Sequence, residues 1–363
     1  MCFFIWIFRI LFIQVLTLSS LAAPPLSGQP ISGQPLSGPP LRILWYNTEN
    51  LFHPSDDSLA GDDEFTPAGI RNWNDFRYRQ KLTSLAKVIV AAGEGDPPEL
   101  VGFCEVEERL VLEELTGHPI LAPYGYRVIH RDGPDHRGTE VACIYRERWV
   151  TVSGWETIPS VLTGRGERTR DLLRLELVWR KDTLDIVMVH LISKYGGEGV
   201  TAVPRRDQVK QVVGLIDSLH CIHPGRWKVV AGDFNDPPDA WSMEPVRRTN
   251  EVTNRTIEET VGGQSVMTQA RLIQVPLSGA RGSYKYQGKW ERIDQFLVSE
   301  GAGSYRVQGR ILALPPLLTP DGSDGGVKPF RTYLGPVYQA GVSDHLPVLL
   351  EISRPFFSSD GGR

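Results

Sequence analysis

Cysteine is scarce, with four in 363 residues and no CxxC pair or Cys/His spacing suited to a metal. A disulfide-stapled scaffold and a thiolate zinc site are therefore not expected. Once Cys2 is removed with a leader, Cys104, Cys143 and Cys221 remain, an odd number. Cys104 and Cys143 sit in apolar strand-like runs and read as buried free thiols, Cys221 as an exposed one. Positive charge is not in excess either. A net charge of -4 argues against a protein held to nucleic acid by a broad basic surface, which needs many Lys and Arg on one face. Nucleic acid stays open as a substrate, because an enzyme with a bound metal holds a phosphodiester with few basic side chains. No nucleophilic Ser or Cys motif is present.

What is there divides into four parts. From Cys2 to Leu18 the chain is apolar apart from Arg9 and Gln14, and it then gives way to Ser19-Ser20-Leu21-Ala22-Ala23. Ser20 and Ala22 fit the small positions read by a signal peptidase, so residues 1–22 are expected to be a signal peptide that exports the rest to the periplasm or the exterior. An uncleaved segment would instead tether it to a membrane. Residues 23–40 repeat Pro, an aliphatic residue, Ser, Gly and a polar residue or Pro, the composition of a linker. Residues 41–353 have ordinary globular composition and carry every motif below, so one large catalytic domain is expected, followed by a tail over 354–363. Nothing marks an obligatory protein partner, and a monomer is expected.

Within the domain, apolar runs predict strands at Leu41–Tyr46, Leu100–Cys104, Tyr126–His130, Val141–Tyr145, Leu172–Trp179, Leu184–Leu191, Trp227–Ala231, Ile293–Val298 and Leu346–Ile352. Helical spacing predicts one helix over Phe76–Ala92 and a second that starts with Pro204 near its first turn. Many strands with few helices indicate an α/β layered domain with central sheets. Asn250–Gly263 and Pro315–Gly335 are polar or rich in Gly and Pro and read as long surface loops.

Five polar clusters stand at the ends of apolar runs: Tyr46-Asn47-Thr48-Glu49-Asn50, Phe103-Cys104-Glu105, Val189-His190-Leu191-Ile192-Ser193-Lys194, Ala231-Gly232-Asp233-Phe234-Asn235-Asp236 and Val342-Ser343-Asp344-His345. A related run, Arg292-Ile293-Asp294, puts a carboxylate inside a strand, where it needs a partner. Singly, each cluster could be a turn or a helix cap. Together, carboxylates and carboxamides with two histidines suit phosphoryl chemistry at a hard metal.

These motifs, in this order, resemble the endonuclease/exonuclease/phosphatase superfamily, with its Asn motif at Asn47, its metal-binding Glu at Glu105, Gly-Asp-x-Asn at Gly232–Asn235, Arg-x-Asp at Arg292–Asp294 and Ser-Asp-His at Ser343–His345. The resemblance implies a four-layered α/β sandwich with two mixed β-sheets face to face and helices outside. It also implies a Mg2+- or Mn2+-dependent hydrolase of phosphoesters. Glu105, Asn47 and Asp344 are expected to ligate the metal, with Glu49 as a possible addition. His345 is expected to be the general base, oriented by Asp294, and Asp233 to hold or help deprotonate the attacking water. Asn235 and His190 would donate to the phosphoryl oxygens. His190 departs from the abasic endonucleases, which carry Tyr there, and resembles deoxyribonucleases and sphingomyelinases. Ser193, Lys194 and Arg137 are candidate phosphate contacts, and Trp73, Tyr284, Tyr286 and Trp290 candidate stacking rings. Nucleic acid phosphodiesters are the first substrate class. The alternatives are an inositol phosphate, a sphingomyelinase-like lipid substrate, for which no apolar surface loop is obvious, or a non-catalytic binding module.

Overall fold

Strands that are apolar at nearly every position must be covered on both faces. The computed structural model, which describes residues 39–55, 61–135, 137–162, 168–251, 260–261, 264–265, 270–300 and 305–353, covers them with a second sheet on one side and helices on the other. In chain order the strands of the two sheets are β1 (Leu41–Leu51), β2 (Leu100–Val106), β3 (Tyr126–Ile129), β4 (Glu140–Arg146), β5 (Thr151–Val161), β6 (Arg168–Trp179) and β7 (Asp182–His190). They continue with β8 (Trp227–Asp233), β9 (Leu272–Gln274), β10 (Leu277–Gly279), β11 (Asp294–Ser299), β12 (Arg306–Ile311) and β13 (Val348–Ser353). One sheet has seven strands in the order β10-β12-β13-β1-β2-β4-β3, the other six in the order β9-β11-β8-β7-β6-β5. Both are mixed: β1 pairs parallel with β2 and antiparallel with β13, and β7 pairs parallel with β8, which pairs antiparallel with β11.

Alternation along the strands assigns the faces. Leu184, Ile186 and Met188 of β7, Val229 and Ala231 of β8, and Phe296 and Val298 of β11 join the core shared with the first sheet. Val187, Val189, Val230 and Leu297 face Val209, Val212 and Ile216 of the helix Glu198–Ile222. The sheets close tightly where β2 has Gly102, at which any Cβ would meet the Met188 sulfur at 2.8 Å and the Trp45 ring at 2.9 Å. The helices are α1 (Asp75–Ala92), α2 (Arg109–Gly117), α3 (Glu198–Ile222) and α4 (Glu244–Glu251). With α1 and α2 over the first sheet and α3 over the second, the four layers are those of an α/β sandwich. The cysteines follow expectation, Cys104 and Cys143 buried and free, Cys221 exposed.

Three expectations need correction. Helix α3 begins at Glu198, so Pro204 lies inside it; the carbonyl that loses its donor belongs to Val200, which is exposed and open to water. The segment 315–335 is largely folded: Leu318–Pro320 pairs with Val327–Pro329, Tyr333–Leu334 with Val337–Tyr338, and Leu317 and Tyr333 enter the core. Trp73 is a core residue whose indole donates to the Phe52 carbonyl at 2.9 Å. The signal segment, most of the linker repeat, the tail and residues 252–259 and 262–263 lie outside the described residues. No helix among the described residues is long and apolar enough to cross a membrane.

Glu140, at the start of β4, is 3% exposed and takes only a long hydrogen bond, 3.4 Å, from the Asp135 N–H. Burial, and then the Asp135 charge, push its carboxyl up to about 8. The folded state therefore keeps a proton that the unfolded chain releases near its ordinary value, so Glu140 opposes folding increasingly as pH rises from about 4.5 to about 8. Glu140→Gln should raise the melting temperature at pH 8 and change it little at pH 4.5, a gap on the order of a few kcal/mol. Equal shifts at both pH values in calorimetry would contradict this.

Candidate active site

The inter-sheet core ends in polar side chains. The alternation that points Met188, Ala231 and Phe296 between the sheets also points His190, Asp233 and Asp294 there, at the strand ends. On the first sheet, Trp45 reaches across to Asp294, and Asn47 follows two residues later on the same face. At this rim the backbone turns sharply. Glu49, Asn50, Glu105 and Asn235 all have positive φ, from 50° to 61°, at a cost of roughly 1 kcal/mol or more each. Local hydrogen bonds hold these turns: Glu49 N–H donates to Asn47 Oδ1 (2.9 Å), Asn50 N–H to Glu105 Oε2 (2.9 Å) and Asn235 N–H to Asp233 Oδ1 (2.8 Å).

Asp233 is the meeting point. Its Oδ2 accepts from Asn47 Nδ2 at 3.1 Å and lies 3.8 Å from Nε2 of both His190 and His345. Burial, then the nearby Asp294 charge, push the Asp233 carboxyl up to about 7. His345 Nδ1 lies 2.7 Å from Asp294 Oδ2, while the Trp45 indole donates to Asp294 Oδ1 at 3.0 Å. Burial disfavours the charged imidazole, yet Asp294 and Asp233 outweigh it and hold His345 well above the usual histidine range. His190 goes the other way. Burial first, then Arg170, Arg137 and His345, push it well below that range, so it is neutral beside a charged His345. Asn235 Nδ2 donates to the Leu191 carbonyl at 2.9 Å, which leaves one N–H of the amide for another acceptor.

Glu105 forms the opposite wall. It is partly open to solvent, accepts from Asn47 Nδ2 at 3.3 Å, and has His190 Nε2 at 3.9 Å. Among the described residues no Lys or Arg forms an ion pair with it. Asp344 Oδ2 pairs with Arg331 at 2.6 Å, and Oδ1 lies 4.0 Å from His345 Nε2. Carboxylate oxygens of Glu105 and Asp344 are donors that Mg2+ or Mn2+ prefers and fit such an ion; Asn47, whose Nδ2 faces Glu105 and whose Oδ1 accepts the Glu49 N–H, would join them only through that oxygen. Cys104 approaches His190 and Asp233 as well, but burial pushes its thiol up, so it is no ligand for a hard cation.

Glu49 departs from expectation. Its oxygens accept the N–H groups of Thr332 (2.6 Å) and Tyr333 (3.2 Å), and the buried Lys81 donates to its carbonyl (2.6 Å). It anchors the 331–333 segment behind the site. Lys194 departs too, because its ammonium is held between Asp236 and Glu291, 3.3 Å from each. Ser193 Oγ accepts the Tyr195 N–H at 3.3 Å and closes a turn. Arg137, 3.6 Å from Asp135, is half-buried. Arg205, Arg206, Arg247 and Arg248 are all engaged by carboxylates or carbonyls.

Sequence reading missed Trp45, Arg170, Lys81 and Arg331. Trp45 carried a signal, its period-two relation to Asn47. Arg170, which is buried and bonds Asp135 Oδ2 at 2.8 Å and the His190 and Leu191 carbonyls at 3.4 and 3.2 Å, carried none. Arg331 lies in a Gly- and Pro-rich stretch that looks like any loop.

The sequence profile described as the Endonuclease/Exonuclease/phosphatase family matches residues 42–354. By sequence, no curated protein matches. Similar solved structures include a protein of that family from Bacteroides thetaiotaomicron, 14% identical with a TM-score of 0.52 over 89% of this chain and 100% of that one. A mannosyl-6-phosphatase from the same organism is 14% identical, with a TM-score of 0.52 over 86% of this chain and 99% of its own. Sphingomyelinase C from Streptomyces griseocarneus is 16% identical, with a TM-score of 0.52 over 86% and 99%.

Because Trp45 holds Asp294 in place, Trp45→Phe should lower kcat about tenfold or more with little change in KM, since it frees the carboxylate that positions His345 without touching substrate. An unchanged kcat with a folded protein would rule out this positioning role.

Proposed function

The chain belongs to the endonuclease/exonuclease/phosphatase family, whose members are hydrolases of phosphoesters, and from that premise we propose that it hydrolyses phosphodiester bonds of nucleic acid or nucleotides with the help of a divalent cation. The observation that carries this reading is the convergence of His190, Asp233, Asp294 and His345 on one side of a cleft whose other side is Glu105. A cation held by Glu105, with Asp344 and Asn47, would neutralise charge on the phosphoryl group and on the departing oxygen.

The remaining steps belong to the side chains. Asp233 is the favoured base: its Oδ2 accepts from Asn47 and lies 3.8 Å from both His190 and His345, its raised pKa suits proton acceptance near neutral pH, and it would take the proton of the water that attacks phosphorus. His345, expected to be the base, favours a different task. Held charged by Asp294 and Asp233, it donates to a phosphoryl oxygen as negative charge builds in the transition state. Neutral His190, the free N–H of Asn235 and half-buried Arg137 would serve the other oxygens. The bond to the leaving oxygen breaks as the water oxygen bonds to phosphorus. The engagement of Arg205, Arg206, Arg247 and Arg248 by carboxylates or carbonyls favours a single strand or a nucleotide over a long duplex.

A second reading has its own observation. Leu334 and Val337, 54% and 60% exposed, sit at a turn next to Arg331 and Thr332, and Arg71 binds the Gly335 carbonyl, which brings exposed Ile70 nearby. An apolar patch beside the site would suit a lipid phosphodiester. We further propose export, on the strength of the N-terminal apolar run; N-terminal sequencing of the secreted protein should begin at Ala23, and a start at Met1 would speak for a tether.

Purified protein with Mg2+ or Mn2+ should cleave single-stranded DNA or RNA faster than sphingomyelin vesicles or inositol phosphates. Glu105→Ala should lose about 100-fold or more in rate and also lose any stabilisation by the cation in a thermal melt. A variant that keeps both the rate and the cation-dependent melting shift would sink the assignment of Glu105.

A further inference from the structure

Between Gly282 and Ile293 the chain forms a hairpin that closes over the catalytic histidine, with Tyr284–Tyr286 paired to Lys289–Glu291. Gln287 and Gly288 make its two-residue turn with φ of 45° and 76°, both positive as a turn of this twist requires. Cross-strand partners share a face, and so do residues two apart along a strand. The register pairs Tyr284 with Glu291 and Tyr286 with Lys289, so these four side chains lie on one side of the hairpin, Lys285 and Trp290 on the other.

The surroundings identify the two sides. The back is anchored: Lys285 pairs with Asp321 at 2.7 Å with both side chains buried, and donates to the Gly325 carbonyl at 2.9 Å, while Trp290 packs against the core. The front looks into the site. The Tyr284 ring lies 4.9 Å from the His345 ring, and Glu291 holds Lys194. Tyr286 and Lys289 continue that front outward. Tyr286 is 58% exposed, and the Lys289 ammonium has no partner among the described residues. The anchored hairpin presents this exposed ring about 7 Å along the strand from Tyr284, whose ring is tilted 37° against the catalytic imidazole. Exposed Tyr195 stands on the loop that Lys194 joins to the hairpin.

We propose that this front is the substrate-recognition wall: Tyr286 stacks on a nucleobase next to the scissile phosphate, and Lys289 meets the adjoining phosphate. The proposal deepens the nucleic acid reading given above and rests on it. A planar base suits a tyrosine face, and a single unpaired ammonium beside it matches one neighbouring phosphate rather than a long polyanion.

Binding separates recognition from turnover. In full-length Asp233→Asn protein, fluorescence anisotropy of a labelled single-stranded oligonucleotide should show affinity falling about fivefold or more on adding Tyr286→Ala and staying within about twofold on adding Tyr286→Phe. Lys289→Gln should weaken binding and flatten its salt dependence. Mannose 6-phosphate and phosphocholine, which lack a planar base, should compete poorly, and a nucleotide should compete well. The proposal is overturned if Tyr286→Ala binds as tightly as its parent, or if phosphocholine or the sugar phosphate competes better than the nucleotide. Wild-type turnover of bis(4-nitrophenyl) phosphate with Mg2+ is measured alongside. Turnover without a Tyr286 effect on oligonucleotide binding overturns the recognition wall and leaves the hydrolase reading intact; a Tyr286 effect without turnover does the reverse.

Discussion

A carboxylate buried at the end of a hydrophobic sandwich has to be matched, and the match found by Asp294 sets the rest of the site. One oxygen is held by the Trp45 indole from the facing sheet, the other by His345 at 2.7 Å. The two bonds join the sheets at their polar end, much as Gly102, Trp45 and Met188 join them in the interior. Removing one partner of a buried charged pair costs about 3–5 kcal/mol, so the pair fixes both ring and strand. Through it His345 carries a charge that faces Asp233, while burial and then the Asp294 charge, against the pull of His345, leave Asp233 holding a proton more readily than a surface aspartate does.

The strained rim follows from the same geometry. A strand that continued straight past Asn47 or Cys104 would carry its next polar side chain away from the cleft. Positive φ at Glu49, Asn50 and Glu105 bends the chain so that Glu105 faces His190 across the opening. Side-chain acceptors on Asn47, Glu105 and Asp233 hold the bends, so part of the functional machinery also serves as local scaffolding. The long segment around 315–340 adds a third layer of support. Glu49 fixes Thr332 and Tyr333, and Arg331 takes Asp344. What resembled a loose loop is thus tied to the catalytic rim.

The inner machinery was legible because it lies on regular strands. Period-two alternation and the polar residue ending each apolar run pointed to Asn47, His190, Asp233 and Asp294, and the motif order brought in Glu105 and His345. The outer contacts were not legible in the same way. Lys194 looked like a phosphate ligand by its place after His190, but two carboxylates, Asp236 and Glu291, from other segments claim it. Strands such as the edge strand β5 and the interior strand β12 went unread because Gly154 and Pro159 in one, and Gly309 with polar neighbours in the other, interrupt the apolar alternation. Pro204 misled as a helix start because a first-turn signal and a tolerated interior proline look alike when the residues before it are rich in glycine, as Gly196, Gly197 and Gly199 are.

The sequence by itself determined the layered α/β class, the family to which the chain belongs and the residues at the ends of its central strands, because a buried strand must be apolar and any polar exception to that rule is conspicuous. The tertiary structure alone decided which of those residues meet, and with what charge. Opposite protonation of His190 and His345, the use of Glu49 as an anchor, and the face of the hairpin that carries Tyr286 all depend on neighbours far away in the chain. Electrostatic shifts and side-chain pairing come from distance and burial, and neither is written in the local order of residues.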